Sequence, residues 1–407
     1  MILSIGLILL LGFIVGELLN KIRIPGLVGM ILVGLVIGPY CLNLIDSSIL
    51  NISSQLRQIA LVIILTRSGL NLDFASLKKV GRSAVLMCFV PATFEIIGVS
   101  IGAYYLLNLT IFESILLGCV LSAVSPAVVS PRMIKLIEQG YGKAKSIPKL
   151  VLAGSSMDDI YVIVLFYAFL GLVQSNSFDV VSIIQIPTSI ILGVLLGTGV
   201  GYAFSLVIKN IHSTTTINII VMLSLSFLMI GLESLLSQWI SISSLVSIIV
   251  MAMIVLLKNK KEAKMISDGY NKLWKVFEII LFVLVGATID LSFAASNSGV
   301  ALLVLALGLS ARTLGVLVCL IGTDLNIKER IFVIISYIPK ATVQASIGGI
   351  ALSMGLGAGS IILTVAVLSI IVTAPIGALS IDLFSDKLLS RDIDGDSDIE
   401  LIKVEQF

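Results

Sequence analysis

Two stretches decide how this chain is read: Ser122-Ala-Val-Ser-Pro-Ala-Val-Val-Ser-Pro131 and Tyr337-Ile-Pro-Lys-Ala-Thr-Val-Gln-Ala-Ser346. Each puts proline inside a long apolar run: Pro126 and Pro131 in the first, Pro339 in the second, with Gly348 and Gly349 just beyond. A proline inside a helix removes a backbone donor and clashes with the preceding turn. Unwound backbone at membrane depth survives only beside a water-filled cavity or buried in protein. Both stretches are therefore expected to be discontinuous membrane helices. Their half-helix ends carry partial charges, positive at amino ends and negative at carboxyl ends. Ser125, Pro126, Pro339, Lys340 and Thr342 are the residues of this unwound site. Lys340 is expected to neutralise carbonyls at the break as electrostatic support.

The remainder of the chain suits a membrane. Of 407 residues, 58% are apolar and only 12% charged, about half the roughly 25% charged share usual in soluble domains. Mean hydropathy is +1.14. This excludes a disordered chain, a coiled coil and an ordinary cytosolic enzyme. With a formal charge of +2, no net basic field exists to attract phosphates, so nucleic acid is not an expected partner. Cys41, Cys88, Cys119 and Cys319 lie in apolar runs without CxxC spacing and read as small core residues. With His212 as the one histidine, an HExxH zinc site is impossible. No Walker A or GxSxG sequence occurs, and no cofactor is expected.

A spanning helix needs about 20 largely apolar residues. Thirteen such stretches are expected, at 2–19, 25–42, 56–72, 83–106, 111–136, 147–173, 181–208, 217–235, 240–257, 271–289, 299–322, 329–353 and 359–383. The first lacks a basic flank before it and a small-residue cleavage site after it, and so reads as a spanning helix and not a signal peptide. An all-α polytopic protein follows, since lipid tolerates no open sheet. Of the 26 basic residues, nearly all fall in the odd-numbered connections and the tail; the even-numbered connections hold none but Arg57, at a helix edge. That bias puts the amino terminus outside and the carboxyl terminus in the cytoplasm.

Charges inside the spans mark a polar centre. Arg67 lies near a helix end, where it can snorkel. Glu95, Asp158, Asp159, Arg312 and Lys340 lie deep, and charge in lipid persists where it pairs or works. Offsets suggest an internal repeat: Pro126 and Pro339 are 213 residues apart, Glu95 and Arg312 217. The corresponding helices run in opposite directions, so helices one to six match eight to thirteen upside down. An inverted repeat with paired broken helices is the mark of a secondary transporter with its site at the midplane. Glu95 and Arg312 are expected to pair across the core. Because arginine stays protonated, that pair is structural, and Asp158 would be left without a dedicated basic partner.

Helix six carries Ala153-Gly-Ser-Ser-Met-Asp-Asp-Ile-Tyr161. Neighbouring helical residues point about 100° apart, so one carboxylate can face a cavity while the other faces a helix. A hard monovalent cation wants oxygen ligands and negative charge, and burial disfavours the charged form of a carboxyl group. Cations and protons can then compete for one alternately exposed site, which suffices for exchange.

With these blocks assembled, the chain resembles the monovalent cation/proton antiporter superfamily, and within it the NHA-type sodium/proton exchangers. The matching blocks are Leu56 to Leu70, Ala123 to Pro131, Gly154 to Ile160 and Pro339 to Ala345. The resemblance implies a core of helices 4–6 and 11–13 (83–180 and 299–384) moving against dimerising scaffold helices (1–82 and 217–298), with 181–216 as linker and 385–407 as an acidic tail. It implies Asp159 as the principal Na⁺ and H⁺ carboxylate with Asp158 beside it, a Glu–Arg pair at Glu95 and Arg312, Na⁺, Li⁺ and H⁺ as transported ions, and a homodimer in the cell membrane. Many bacterial relatives with paired aspartates carry Lys where this chain has Arg312, which leaves the exchange ratio open. Potassium/proton exchange is the alternative within transport. An intramembrane aspartyl protease needs carboxylates meeting from separate helices, whereas Asp158 and Asp159 are neighbours on one. A channel would show linear, unsaturable sodium current. The tail acids, Asp386 to Glu405, read as a solvated end; the Asp392 to Asp398 alternation lacks the distal spacing of a calcium-binding EF-hand loop.

Overall fold

The computed structural model describes residues 1–71, 81–175, 180–210, 214–236, 239–289 and 291–391. The Lys78–Lys79 connection, His212 and the acidic run from 392 lie outside them. The described chain is helical. It opens with α1 (Ile2–Lys21), α2 (Gly26–Ile37), short α3 (Ser47–Asn51) and α4 (Ser53–Leu70). Next come α5 (Arg82–Met87), α6 (Val90–Leu106), α7 (Ile111–Ser122), α8 (Pro126–Glu138), α9 (Ile147–Ser175) and α10 (Val180–Asn210). Then follow α11 (Thr215–Leu236), α12 (Ser244–Lys258), α13 (Lys260–Ala287) and α14 (Leu291–Cys319). The last are α15 (Ile327–Ser336), α16 (Thr342–Ile347), α17 (Ile350–Ser353) and α18 (Gly359–Leu388).

Eight helical runs among the described residues are long and apolar enough to cross a membrane. Each of the thirteen expected stretches contains helix, but thirteen crossings are not reached by that measure. The difference falls on α2, α4, α12, α13 and the α15–α17 segment. α2 and α12 are apolar but short, α4 carries Gln55, Arg57, Gln58 and Arg67, and α15 to α17 are interrupted. Helices sheltered by protein need no continuous apolar length.

Both interrupted segments begin alike. Thr110 and Glu113 form a capping box at the start of α7, and Asn326 and Glu329 form one at the start of α15. Each box satisfies two otherwise orphan amide donors. The helix each box opens then stops within about three turns, which sets the depth of the break.

The depth of the polar centre is also fixed by α6 and α14. They pack closely: a Cβ at Gly308 would lie 2.5 Å from the Val99 side chain. That packing brings Glu95 on α6 opposite Arg312 on α14.

Candidate functional site

The two breaks meet. α7 stops at Ser122, and Pro126 opens α8 at its first helical position, where a missing N–H costs nothing. α15 stops at Ser336 and α16 starts at Thr342, with Pro339 in the gap. The Ser125 amide donates to the Pro339 carbonyl at 2.9 Å. Pro131 does not break the chain: α8 runs on through it, at the loss of one intrahelical bond.

The carbonyl end of α7 is covered by side chains from the other half. Gln344 Nε2 donates to the carbonyls of Ala123 at 2.9 Å and Leu121 at 3.3 Å. Arg312 Nη1 donates to the Ser122 carbonyl. Lys340, expected to neutralise carbonyls at the break beside it, pairs with a carboxylate instead. Its Nζ lies 2.5 Å from Glu95 Oε2, a charged acceptor that binds an ammonium more strongly than a carbonyl does. The Lys340 amide donates to Thr373 Oγ1 at 2.9 Å, which anchors the break to α18.

Arg312 bridges two acids. Nη1 pairs with Glu95 Oε2, and Nη2 pairs with Asp158 Oδ2 at 2.9 Å. Asp158 therefore does have a basic partner, contrary to the expectation from sequence. The planar guanidinium presents several donors in a fork and serves two carboxylates at once. Asp158 Oδ2 also accepts the Val124 amide at 2.8 Å, so α9 is pinned to the first break.

Asp159 is 3% exposed, and its Oδ1 has no hydrogen-bond partner among the described residues. Ser125 Oγ, Thr342 Oγ1, Gln344 Oε1 and Asp158 Oδ1 are likewise buried without one. Buried polar atoms are nearly always paired, so a group of unpaired oxygens calls for an explanation. No set of three or more His, Cys, Asp or Glu side chains among the described residues is placed to hold a metal ion. A cation here would draw on one or two carboxylates completed by hydroxyl, amide and backbone oxygens.

Residues 6–386 match the family model described as "Sodium/hydrogen exchanger, transmembrane". The chain belongs to the sodium/hydrogen exchanger family. It is 33% identical over 400 residues to human sodium/hydrogen exchanger 9B2, covering 92% of this chain and 73% of that protein. It is 33% identical over 401 residues to human sodium/hydrogen exchanger 9B1, covering 93% and 76%. Its fold matches the sodium proton antiporter MjNhaP1 from Methanocaldococcus jannaschii at pH 8, with a TM-score of 0.81 and 21% identity over 95% of this chain and 98% of that one. The exchanger is thus a multi-pass membrane antiporter and not an enzyme.

Other residues of the exchanger hold this centre in place. The Arg312 guanidinium lies 5.3 Å from the centre of the Tyr337 ring, within range of a cation–π contact. Tyr337 in turn packs on Gly154, where an added Cβ would lie 2.0 Å from the phenol oxygen. Gln344, Thr373 and Tyr337 had no role assigned from sequence. Gln344 carries a usable signal, being a polar side chain three residues inside an apolar segment that follows a break. Thr373 carries none, because helical hydroxyls commonly bond back to their own helix, as its Oγ1 also does to the Ser369 carbonyl at 2.7 Å.

Proposed function

We propose that this exchanger trades Na⁺ or Li⁺ for H⁺ by alternating access, with cation and proton competing for Asp159. One observation supports the reading: of two adjacent buried carboxylates, Asp158 is held by Arg312 and the Val124 amide, whereas Asp159 Oδ1 has no hydrogen-bond partner among the described residues. Ser125 and Thr342 at the breaks supply further oxygens. The printed names of the relatives, sodium/hydrogen exchangers and a sodium proton antiporter, support sodium as the cation.

Charge supports a one-for-one exchange. The cluster holds three carboxyl groups, Glu95, Asp158 and Asp159, against two cationic groups, Arg312 and Lys340, each of them at most 3% exposed. One Na⁺ or one H⁺ neutralises the remaining charge, and burying an uncompensated charge is costly. Both loaded forms are then electrically alike. The core segments, 83–180 and 299–384, move against the scaffold of 1–82 and 217–298, with the amino terminus outside, the tail cytoplasmic and a second copy on the scaffold.

The test is exchange in sealed proteoliposomes with an acid interior. Added sodium or lithium dissipates the gradient for the wild type and fails to do so for Asp159→Asn. Retained exchange in that variant removes Asp159 from its role, and a response to potassium alone makes this a potassium/proton exchanger.

A further inference from the structure

A second polar contact lies away from the acidic centre, where α4 meets the segment that follows the second break. α4 begins at Ser53, and Arg57 sits one turn inside it. Arg57 is 6% exposed and belongs to no ion pair among the described residues. Its Nε donates to the Ser53 carbonyl at 3.3 Å, whereas Nη1 is buried without a hydrogen-bond partner. The guanidinium fills the space that a side chain at Gly349 would take, for a Cβ there would overlap Nη1. Gly349 joins α16 to α17, and α16 packs on α4.

Gly348 and Gly349 both keep right-handed helical angles, φ −58°, ψ −29° and φ −92°, ψ −2°. The helical register therefore carries from α16 into α17. Ser346, Gly349 and Ser353 are spaced by three and then four residues, so they share one face. All three line a crevice of about 750 Å³ together with Arg57. Each hydroxyl donates within its own segment, Ser346 to the Thr342 carbonyl at 2.7 Å and Ser353 to the Ile350 carbonyl at 2.8 Å. A hydroxyl that donates keeps lone pairs with which to accept. The face thus offers a side-chain acceptor on each side of Gly349, roughly 4.5 Å toward the break and roughly 6 Å toward the end of α17, at 1.5 Å per residue. Arg57 stands at the one position of the three that has no side chain to accept its proton. A buried donor left unpaired disfavours the state that leaves it so. A shift of α16–α17 by one turn along α4 would supply the acceptor, and one-turn shifts between packed elements are a recurrent form of switching.

We propose that Arg57 is a positioning residue that registers the two states of the exchanger: it stands at Gly349 in this structure and donates to the Ser353 hydroxyl in the other. The inference rests on the movement of core against scaffold proposed above, with α4 in the scaffold and α16–α17 in the core. Ser353 is chosen over Ser346 by depth. Arg57 is one turn from the start of α4 and Gly349 one turn from the end of α17, so those two ends lie at one level. A core shift that carries Asp159 away from that level, past the scaffold, brings Ser353 to Arg57. Glycine at 349 leaves room for the guanidinium to pass.

The test is a double-mutant cycle on exchange rate in proteoliposomes, with melting midpoints measured alongside. Arg57→Gln and Ser353→Ala should each slow exchange about three- to tenfold, the equivalent of one hydrogen bond. The double variant should be no slower than the slower single, because both changes remove the same bond. Ser353→Thr keeps the hydroxyl and should keep the rate. Ser353 is exposed, so the melting midpoint of Ser353→Ala should match that of the wild type. Gly349→Ala should slow exchange on its own and cost nothing further beside Arg57→Gln, whose shorter side chain clears the added Cβ. A wild-type rate in Ser353→Ala, equal slowing by Ser353→Ala and Ser353→Thr, additive slowing by Arg57→Gln and Ser353→Ala, or coupling of Arg57 to Ser346 in place of Ser353 overturns the proposal. The comparison of Ser353→Ala with Ser353→Thr needs no change at Arg57. None of these results alters the expected inactivity of Asp159→Asn, so this inference and the shared-site reading fail separately.

Discussion

Asp158 and Asp159 share a helix, a depth and a chemistry, and differ in their partners. Asp158 Oδ2 receives Arg312 at 2.9 Å and the Val124 amide at 2.8 Å; Asp159 Oδ1 receives nothing among the described residues. Substitution should separate them. Asp159→Asn is expected to abolish exchange while leaving the melting midpoint near that of the wild type, because its Oδ1 accepts no hydrogen bond among the described residues. Arg312→Ala is expected to destabilise the protein by about 3–5 kcal/mol, since it leaves Asp158 buried without a cationic partner and takes one of the two that hold Glu95. Melting curves alongside exchange rates read both outcomes. The sequence already makes Glu95 and Arg312 opposite in depth, through their 217-residue offset. It is silent on which aspartate Arg312 also reaches, because a 100° turn between neighbours fixes their divergence and not their directions.

At the scale of elements, the proposed site lies at the meeting of two broken helices, held by one backbone bond from Ser125 to Pro339 and by Gln344 on the carbonyls of Leu121 and Ala123. Gln344→Leu leaves those carbonyls buried without their donor, at a cost of about 1–3 kcal/mol. The expected result is a lowered melting midpoint together with slower exchange. Gly154→Ala acts through packing: its Cβ would lie 2.0 Å from the Tyr337 oxygen, so α9 must shift away from the second break. Exchange should fall with Gly154→Ala and recover in part with Tyr337→Phe added. Equal rates for Gly154→Ala and wild type would remove this contact from the mechanism. Proline placed the breaks in the sequence reading, and did so well for Pro126 and Pro339. It overstated Pro131, through which α8 runs on. The partners of the exposed carbonyls were not legible, because they come from residues more than 200 positions away in sequence.

For the whole molecule, the apolar composition and the spacing of polar residues were enough to indicate an all-helical transporter, because a bilayer leaves few other solutions for such a chain. They were less able to count crossings. Helices such as α4 and α13 are sheltered by neighbours and carry polar residues that a lipid-facing span would not. The proposed exchange has an electrical consequence for the whole chain: one Na⁺ traded for one H⁺ would move no net charge. Exchange rates measured at two imposed voltages should then coincide, and a rate that changes steeply with voltage would refute one-for-one exchange. The most direct test of a single shared site is the apparent KM for sodium as a function of pH, measured in proteoliposomes at fixed voltage. Direct competition predicts an unchanged maximal rate and, where protons occupy most sites, a KM that rises about tenfold for each unit fall in pH. A KM independent of pH, with only the maximal rate changing, would contradict it.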